Sequence, residues 1–363
     1  MDDAYSLWYN RPSVAEIFGG FCFGFITSDG LVRVVEVDDQ LLMHRVATIH
    51  KFDVASDHGS PSIVRIPDGK YAGHILACFS NHSSPLLCTR TSSAERAGSW
   101  CQPWQIDAGR ATYASLVALP TGNIVLMHTL QERVGRYDAG EWRRVVARTT
   151  ADGGDTWSEP LLITGFGAGT FPYSTPLSAS KEGWCAMAYA IYTSADKRHK
   201  GLTLVVTPDA FKTRFEIPID LGGASSFDTI PYETKWISNT SVAVTYTQMS
   251  LDGTQGLSRI IFVDVRNRKV VSNHEVALAA IHTYAGGATV DESGQTVVSS
   301  PPTGGIVRQN LNTGVVTTLV ETGNFSSPWL FTIHGKPMLM ALRNPSVIST
   351  RKFSSEVLIM PMA

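Results

Sequence analysis

The amino-acid sequence predicts an all-β fold, and more narrowly a β-propeller of four-stranded antiparallel blades, on three observations. Helical periodicity is absent along the 363 residues, whereas short runs rich in Val, Ile, Thr, Phe and Tyr recur from end to end. Gly, Asp and Asn turns close those runs into hairpins. The pattern repeats about every 50 to 57 residues, the spacing of sheets stacked around an axis.

The elements follow in order. Residues 21–27, the Ser28-Asp29-Gly30 turn and residues 31–37 make the first hairpin, and residues 122–128 read as a further strand. Units open at Ser60-Pro61-Ser62-Ile63-Val64, Tyr113-Ala114-Ser115-Leu116-Val117 and Phe171-Pro172-Tyr173-Ser174-Thr175. Looser openings fall near Asp228-Thr229-Ile230, Tyr284-Ala285-Gly286 and Ser327-Pro328-Trp329. With the segment around Phe21 these give seven blades, or six if the terminal segments share one sheet and so protect the edges of the ring. No Pro/Ser-rich linker or charge block intervenes, so residues 1–363 read as one domain.

Composition excludes several classes. The 30 Lys plus Arg nearly balance 32 Asp plus Glu, so no global field gathers nucleic acid or an anionic membrane, and neither is expected as a partner. No apolar run approaches the roughly 18 residues of a membrane span. Met1-Asp2-Asp3-Ala4-Tyr5 is acidic where a secretory leader is basic, so the expectation is a soluble chain without an export signal, its compartment left open. The cysteines Cys22, Cys78, Cys88, Cys101 and Cys185 show neither a CxxC pair nor metal-ligand spacing. They are expected as small buried apolar residues, with Cys78 and Cys88 facing each other across a hairpin, and no cofactor or catalytic metal is expected.

Thr150-Ala151-Asp152-Gly153-Gly154-Asp155-Thr156-Trp157 fits the pattern Ser/Thr-x-Asp-x-Gly-x-Thr-Trp at every defined position. Such a segment is a turn: the Asp caps backbone amides, Gly takes a positive φ and Trp packs beneath. Degenerate copies run from Ser93 through Glu95, Ala97 and Ser99 to Trp100, and from Thr207 through Asp209 and Phe211 to Thr213. Asp152 and Trp157 therefore serve the fold, and Trp184 and Trp236 are expected in the core.

With these motifs the chain resembles the BNR-repeat, or Asp-box, superfamily, which includes sialidases and a branch of seven-bladed ulvan-lyase-like polysaccharide lyases. Arg65-Ile66-Pro67 looks like the sialidase Arg-Ile-Pro motif, but the Pro preceding the strand is Pro61. Arg65 lies deeper and is expected as a blade residue. The lyase-like branch is the nearer match, over roughly residues 50–215. Its Asp-x-His pattern before a Pro-Ser strand appears as Asp57-His58 ahead of Pro61-Ser62, its second histidine as Asn81-His82, and its blade-opening tyrosines as Thr112-Tyr113 and Pro172-Tyr173. The resemblance implies that His58, His82, Tyr113 and Tyr173 cluster as catalytic residues acting on a uronate. Where that branch has an arginine ending the strand after Gly122, this chain has His128, with Arg133 and Arg136 beyond. These three are the expected carboxylate binders, although His128, like His74 and His282, also has a structural reading.

The chemistry asks for these residue types. Cleaving a 4-linked uronide by β-elimination removes the C5 proton beside the carboxylate and expels the oxygen at C4. Cationic groups must neutralise the carboxylate, and a base must lie within hydrogen-bond reach. Imidazole changes charge near neutral pH, and a phenol beside a cation gives up its proton more readily. The expected function is thus a polysaccharide lyase on an acidic, uronate-containing polymer. Two alternatives stand beside it, a non-catalytic glycan-binding propeller of the surface or phage-tail kind and a sialidase-type glycoside hydrolase. In each the partner is a polysaccharide or oligosaccharide.

Overall fold

A computed structural model of the chain describes residues 13–133, 141–221, 227–252, 255–278, 287–349 and 352–362. Among these residues there is no helix, and so none long and apolar enough to cross a membrane. The first sheet is β1 (Val14–Ile17), β2 (Gly20–Ile26), β3 (Leu31–Asp38) and β4 (Met43–Lys51). A seven-stranded ladder follows, of β5 (Ser62–Arg65), β6 (Ile75–Phe79), β7 (Ser84–Arg90), β8 (Trp104–Ala118), β9 (Ile124–Arg133), β10 (Glu141–Thr150) and β11 (Leu161–Gly165). The third sheet holds β12 (Thr170–Ser174), the short β13 (Ser178–Ala179), β14 (Cys185–Thr193), β15 (Arg198–Thr207) and β16 (Phe215–Pro218). The fourth is β17 (Phe227–Ser238), β18 (Ser241–Ser250), β19 (Gly256–Asp264) and β20 (Lys269–Leu278). The fifth is β21 (Ala288–Val290), β22 (Thr296–Ser299), β23 (Ile306–Asn310) and β24 (Val316–Val320), and the last is β25 (Phe325–Ile333), β26 (Lys336–Ser349) and β27 (Lys352–Pro361). Each sheet is an antiparallel meander, so short turns suffice throughout.

In the first two sheets burial is greatest in the second strand, and the outermost strands of the first and fifth sheets are the most exposed. β2 and β6 are wholly buried, whereas β4 and β24 are largely exposed. Apolar clusters bridge successive sheets: Met127 and Val145 meet Met187 and Val205, Leu204 meets Val244, and Val298 meets Leu339. The last sheet returns to the first through Phe21, Phe23, Met338 and Met340, with the Phe21 and Phe331 rings 5.9 Å apart, edge to face. A polar series runs inside the ring. The hydroxyl of Ser13 accepts from the Ile63 amide, that of Ser62 from Leu116 (2.9 Å), that of Ser115 from Leu177 (2.9 Å) and that of Thr289 from Leu330 (3.1 Å). At these four places an inner segment satisfies an amide of its neighbour. Four of the expected unit openings fall at the starts of β5, β12, β17 and β25, the one at Tyr113 falls within the second half of β8, and the one near Tyr284 lies outside the described residues.

Most residues read as structural behave so; Cys101 departs, being exposed, whereas Cys22, Cys78, Cys88 and Cys185 are buried as expected. The Asp152 carboxylate accepts from the Thr156 amide (2.9 Å) and from the hydroxyls of Thr156 (2.6 Å) and Thr150 (2.8 Å), and Asp209 repeats the pattern with Thr213 and Thr207. Glu95 departs from it, since its carboxylate pairs with Arg65, which is thus a blade residue. Trp184 and Trp236 pack in one core cluster, and His74 Nδ1 bonds the Thr91 carbonyl at 2.7 Å. Cys78 and Cys88 face each other in register as free thiols, Sγ to Sγ 3.4 Å.

Candidate functional site

Three segments converge where the inner strands begin. Asp57 and His58 lie in the loop before β5, His82 in the turn between β6 and β7, and Tyr113 within β8. The turn is clamped to both neighbours: Asn81 Nδ2 donates to the Val54 carbonyl (2.7 Å), the Ser83 amide donates to Thr112 Oγ1 (3.1 Å), and the Ser83 hydroxyl donates to Gln131. In β8, Thr112 pairs Thr129 and Ser115 pairs Met127, so Tyr113 and Ala114 stand opposite the single residue His128. That is a β-bulge, and Tyr113 within it takes a φ of 59°, a conformation unusual for an aromatic side chain. The bulge turns the Tyr113 ring onto His58, with centroids 5.2 Å apart and stacked, while the His58 and His82 rings lie 4.5 Å apart.

The four residues expected from the sequence are brought together. Tyr173, in β12, lies 6.3 Å from Tyr113, centroid to centroid. It also leads to residues the sequence reading missed. Arg143, in β10, donates from Nη1 to the Tyr173 hydroxyl at 2.8 Å, with its guanidinium 4.6 Å from the Phe171 ring, so a buried cation is fixed at the site. His199, in β15, packs on Tyr173 (4.8 Å) and on Tyr192 (5.0 Å), and its Nδ1 is 3.0 Å from Asp228 Oδ1 at the start of β17. Two carboxylate–histidine pairs, Asp57–His58 and Asp228–His199, thus flank Tyr113, Tyr173, Tyr192 and Arg143. Arg143 shares the inward parity of Val145 and Ala147 on its strand, the one sequence signal that marks it. His199 is found by folding the 185–207 hairpin, which sets it opposite Tyr192.

Electrostatics divide the two histidines. Asp57 is wholly buried and accepts from His58 Nδ1, which fixes the tautomer and the orientation of the ring. Burial, reinforced by the neighbouring charges of His58, Arg143 and Arg110, pushes His82 down to about 3, so it is a neutral imidazole at any ordinary pH. The expected carboxylate binders fare differently. His128 is fully buried among Arg148 and Asp107, its two nitrogens have no hydrogen-bond partner, and burial pushes it down to about 4. It backs the bulge and is not presented with the cluster. Arg133 ends β9 with its side chain outside the described set, as is all of Arg136. Among the described residues no group of three or more His, Cys, Asp or Glu side chains forms a metal cage.

No protein-family model matches the chain, and no curated protein does. Solved structures do match. An α-L-arabinofuranosidase from Fusarium graminearum, in complex with an iminosugar inhibitor, is 12% identical over 99% of this chain and 96% of its own, with a TM-score of 0.57. The BP39L lectin from Burkholderia pseudomallei is 12% identical over 97% and 99%, with a TM-score of 0.60. An oligogalacturonate lyase from Vibrio parahaemolyticus is 11% identical over 99% and 90%, with a TM-score of 0.52. At such identities the likeness speaks for architecture alone, and the chain is an all-β protein of the propeller fold found in these two enzymes and this lectin.

Proposed function

We propose that the protein is a polysaccharide lyase that cleaves a uronate-containing polymer by β-elimination at the mouth built from His58, His82, Tyr113, Tyr173 and Arg143. The observation that carries this reading is a buried arginine fixed beside two tyrosines and an aspartate-anchored histidine. Arg143 supplies from β10 the cation that the resemblance leads one to seek on β9. In the reaction His58 Nε2 takes the C5 proton, the C4–O bond breaks as the C4–C5 double bond forms, and a phenol passes its hydrogen to the departing oxygen. The bond from Arg143 supports Tyr173 in that last role, while Arg143 and the neutral His82 bind the carboxylate whose charge grows in the transition state. With a value near 3, His82 is too weak a base to abstract the proton itself. We also read β8 as the outer strand of one blade and the inner strand of the next, which gives seven blades in one domain.

A panel of uronate polysaccharides tests the proposal. Turnover should raise absorbance near the ultraviolet cut-off as the unsaturated product forms, and Arg143→Ala should lower that rate by about 10²–10³-fold. The lectin among the matching folds motivates a second reading, in which the same mouth binds a glycan without turning it over. Binding with no unsaturated product would favour that reading, and new reducing ends with no absorbance change would favour hydrolysis.

A further inference from the structure

The catalytic mouth lies where the inner strands begin, and the ends of those strands meet elsewhere. Lys181 follows β13, Asn239 follows β17, Glu292 follows β21, and β25 carries Trp329 and Phe331. Two cavities of about 560 and 290 Å³ open there and share Lys235, Glu292, Leu330, Phe331 and Thr332. His58, His82, Tyr113, Tyr173 and Arg143 line neither.

We propose that this second mouth is a separate carbohydrate-binding site that takes an uncharged saccharide. The Trp329 and Phe331 rings, both partly exposed, lie 5.0 Å apart and 31° from coplanar, a surface of the kind on which the apolar face of a sugar ring stacks. Their strand is held rigid, because the Leu330 amide donates to Thr289 (3.1 Å) and its carbonyl accepts from Lys235 Nζ (2.9 Å). Trp329 also lines a cavity of about 330 Å³ further along the inner strands, so the platform stands at an opening, not on a flat surface. Polar groups suited to hydroxyls surround it, and their charges cancel. Exposed Lys181 is offset by exposed Glu292, and the Lys235 ammonium is 3.3 Å from Glu233. The catalytic mouth differs in holding a buried guanidinium, that of Arg143, directly on the Tyr173 hydroxyl, a fixed cation that no described group of the second mouth matches. The larger volume falls within the roughly 300–1,000 Å³ of ligand pockets.

Calorimetric titration of the full chain with neutral cello-, xylo-, manno-, galacto- and arabino-oligosaccharides tests this, with His58→Gln in parallel. At least one probe should bind with the same affinity in wild type and His58→Gln, and about tenfold more weakly in Trp329→Ala. If Trp329→Ala does not fold, the double variant Lys181→Ala/Glu292→Ala, changed only at exposed positions, carries the test and should bind several-fold more weakly. The proposal is overturned if no probe binds wild type, if binding is lost in His58→Gln, or if the folded platform or rim variant binds as tightly as wild type. Because lyase activity is not read, this result and that of the uronate assay fail independently.

Discussion

Asp57 and His58 form a pair that cannot be separated without disturbing the fold. One Asp57 oxygen accepts from the imidazole, and the other is buried with no hydrogen-bond partner. Removing the ring leaves a buried charge uncompensated, at a loss on the order of 3–5 kcal/mol. His58→Ala is therefore expected to melt earlier as well as lose turnover. His58→Gln, whose amide can still donate to Asp57, should keep its melting temperature within a few degrees and lose about 10²–10⁴-fold in kcat; wild-type turnover in that variant would remove His58 from the reaction. His128 makes a prediction about pH. Its folded value, about 4, lies below the unfolded 6.5, so between those limits the unfolded chain binds a proton that the folded one refuses. Stability is thus full above pH 6.5 and falls as pH drops towards 4, by about 1.4 kcal/mol per unit. In His128→Leu, urea midpoints at pH 7.5 and 4.5 should lie closer together than in wild type, and equal separations would contradict the assignment. The sequence exposed His58 and His82 as residues just before strands, and Tyr113 and Tyr173 as openings of repeating units, and the family resemblance joined the four into one cluster. It hid Arg143 and His199, whose placement depends on which face of a mid-strand residue turns inward and on a hairpin's register.

At the scale of the element, two devices contrast in how local their chemistry is. The Thr150–Trp157 turn was legible because the groups that close it all lie within eight residues, and the same bonds recur at Thr207–Thr213. The Ser93–Trp100 segment occupies the equivalent place but carries Glu for Asp. With one more methylene, its carboxylate reaches across to Arg65, while Glu95 itself takes a φ of 56°. The bulge in β8 was not legible, since it arises from pairing with β9 and from the clamp between Ser83, Thr112 and Gln131 that offsets a backbone strain of about 1–3 kcal/mol. Turn and bulge should separate in experiment. Asp152→Ala removes charge-assisted bonds from a surface turn and should lower unfolding free energy by about 2 kcal/mol in a denaturant titration, with kcat unchanged below the transition. A loss of turnover at full stability would move Asp152 out of the fold and into the site.

At the scale of the molecule, the repeat announced a stack of sheets, but not how the stack closes, because closure depends on contacts between residues some three hundred positions apart. The seam joins Phe331 to Phe21 and the His334 amide to Glu16 Oε1 at 2.7 Å, between the last sheet and the first. In an open array each unit touches only its neighbours, and an end unit can fray without the rest. In a closed ring every sheet is flanked on both sides, and the series of hydroxyl-to-amide bonds from Ser13, Ser62 and Ser115 links one inner strand to the next. Weakening the seam should then lower the stability of the whole. Phe331→Ala deletes a partly buried ring packed on the shared cluster and should destabilise by roughly 2 kcal/mol. The expected calorimetric trace is a single transition in both wild type and variant, shifted down in the variant with its cooperativity retained. Two resolved transitions in Phe331→Ala, one near the wild-type temperature and one well below it, would mean that the end sheets unfold apart from the remainder and that the ring does not act as one cooperative unit.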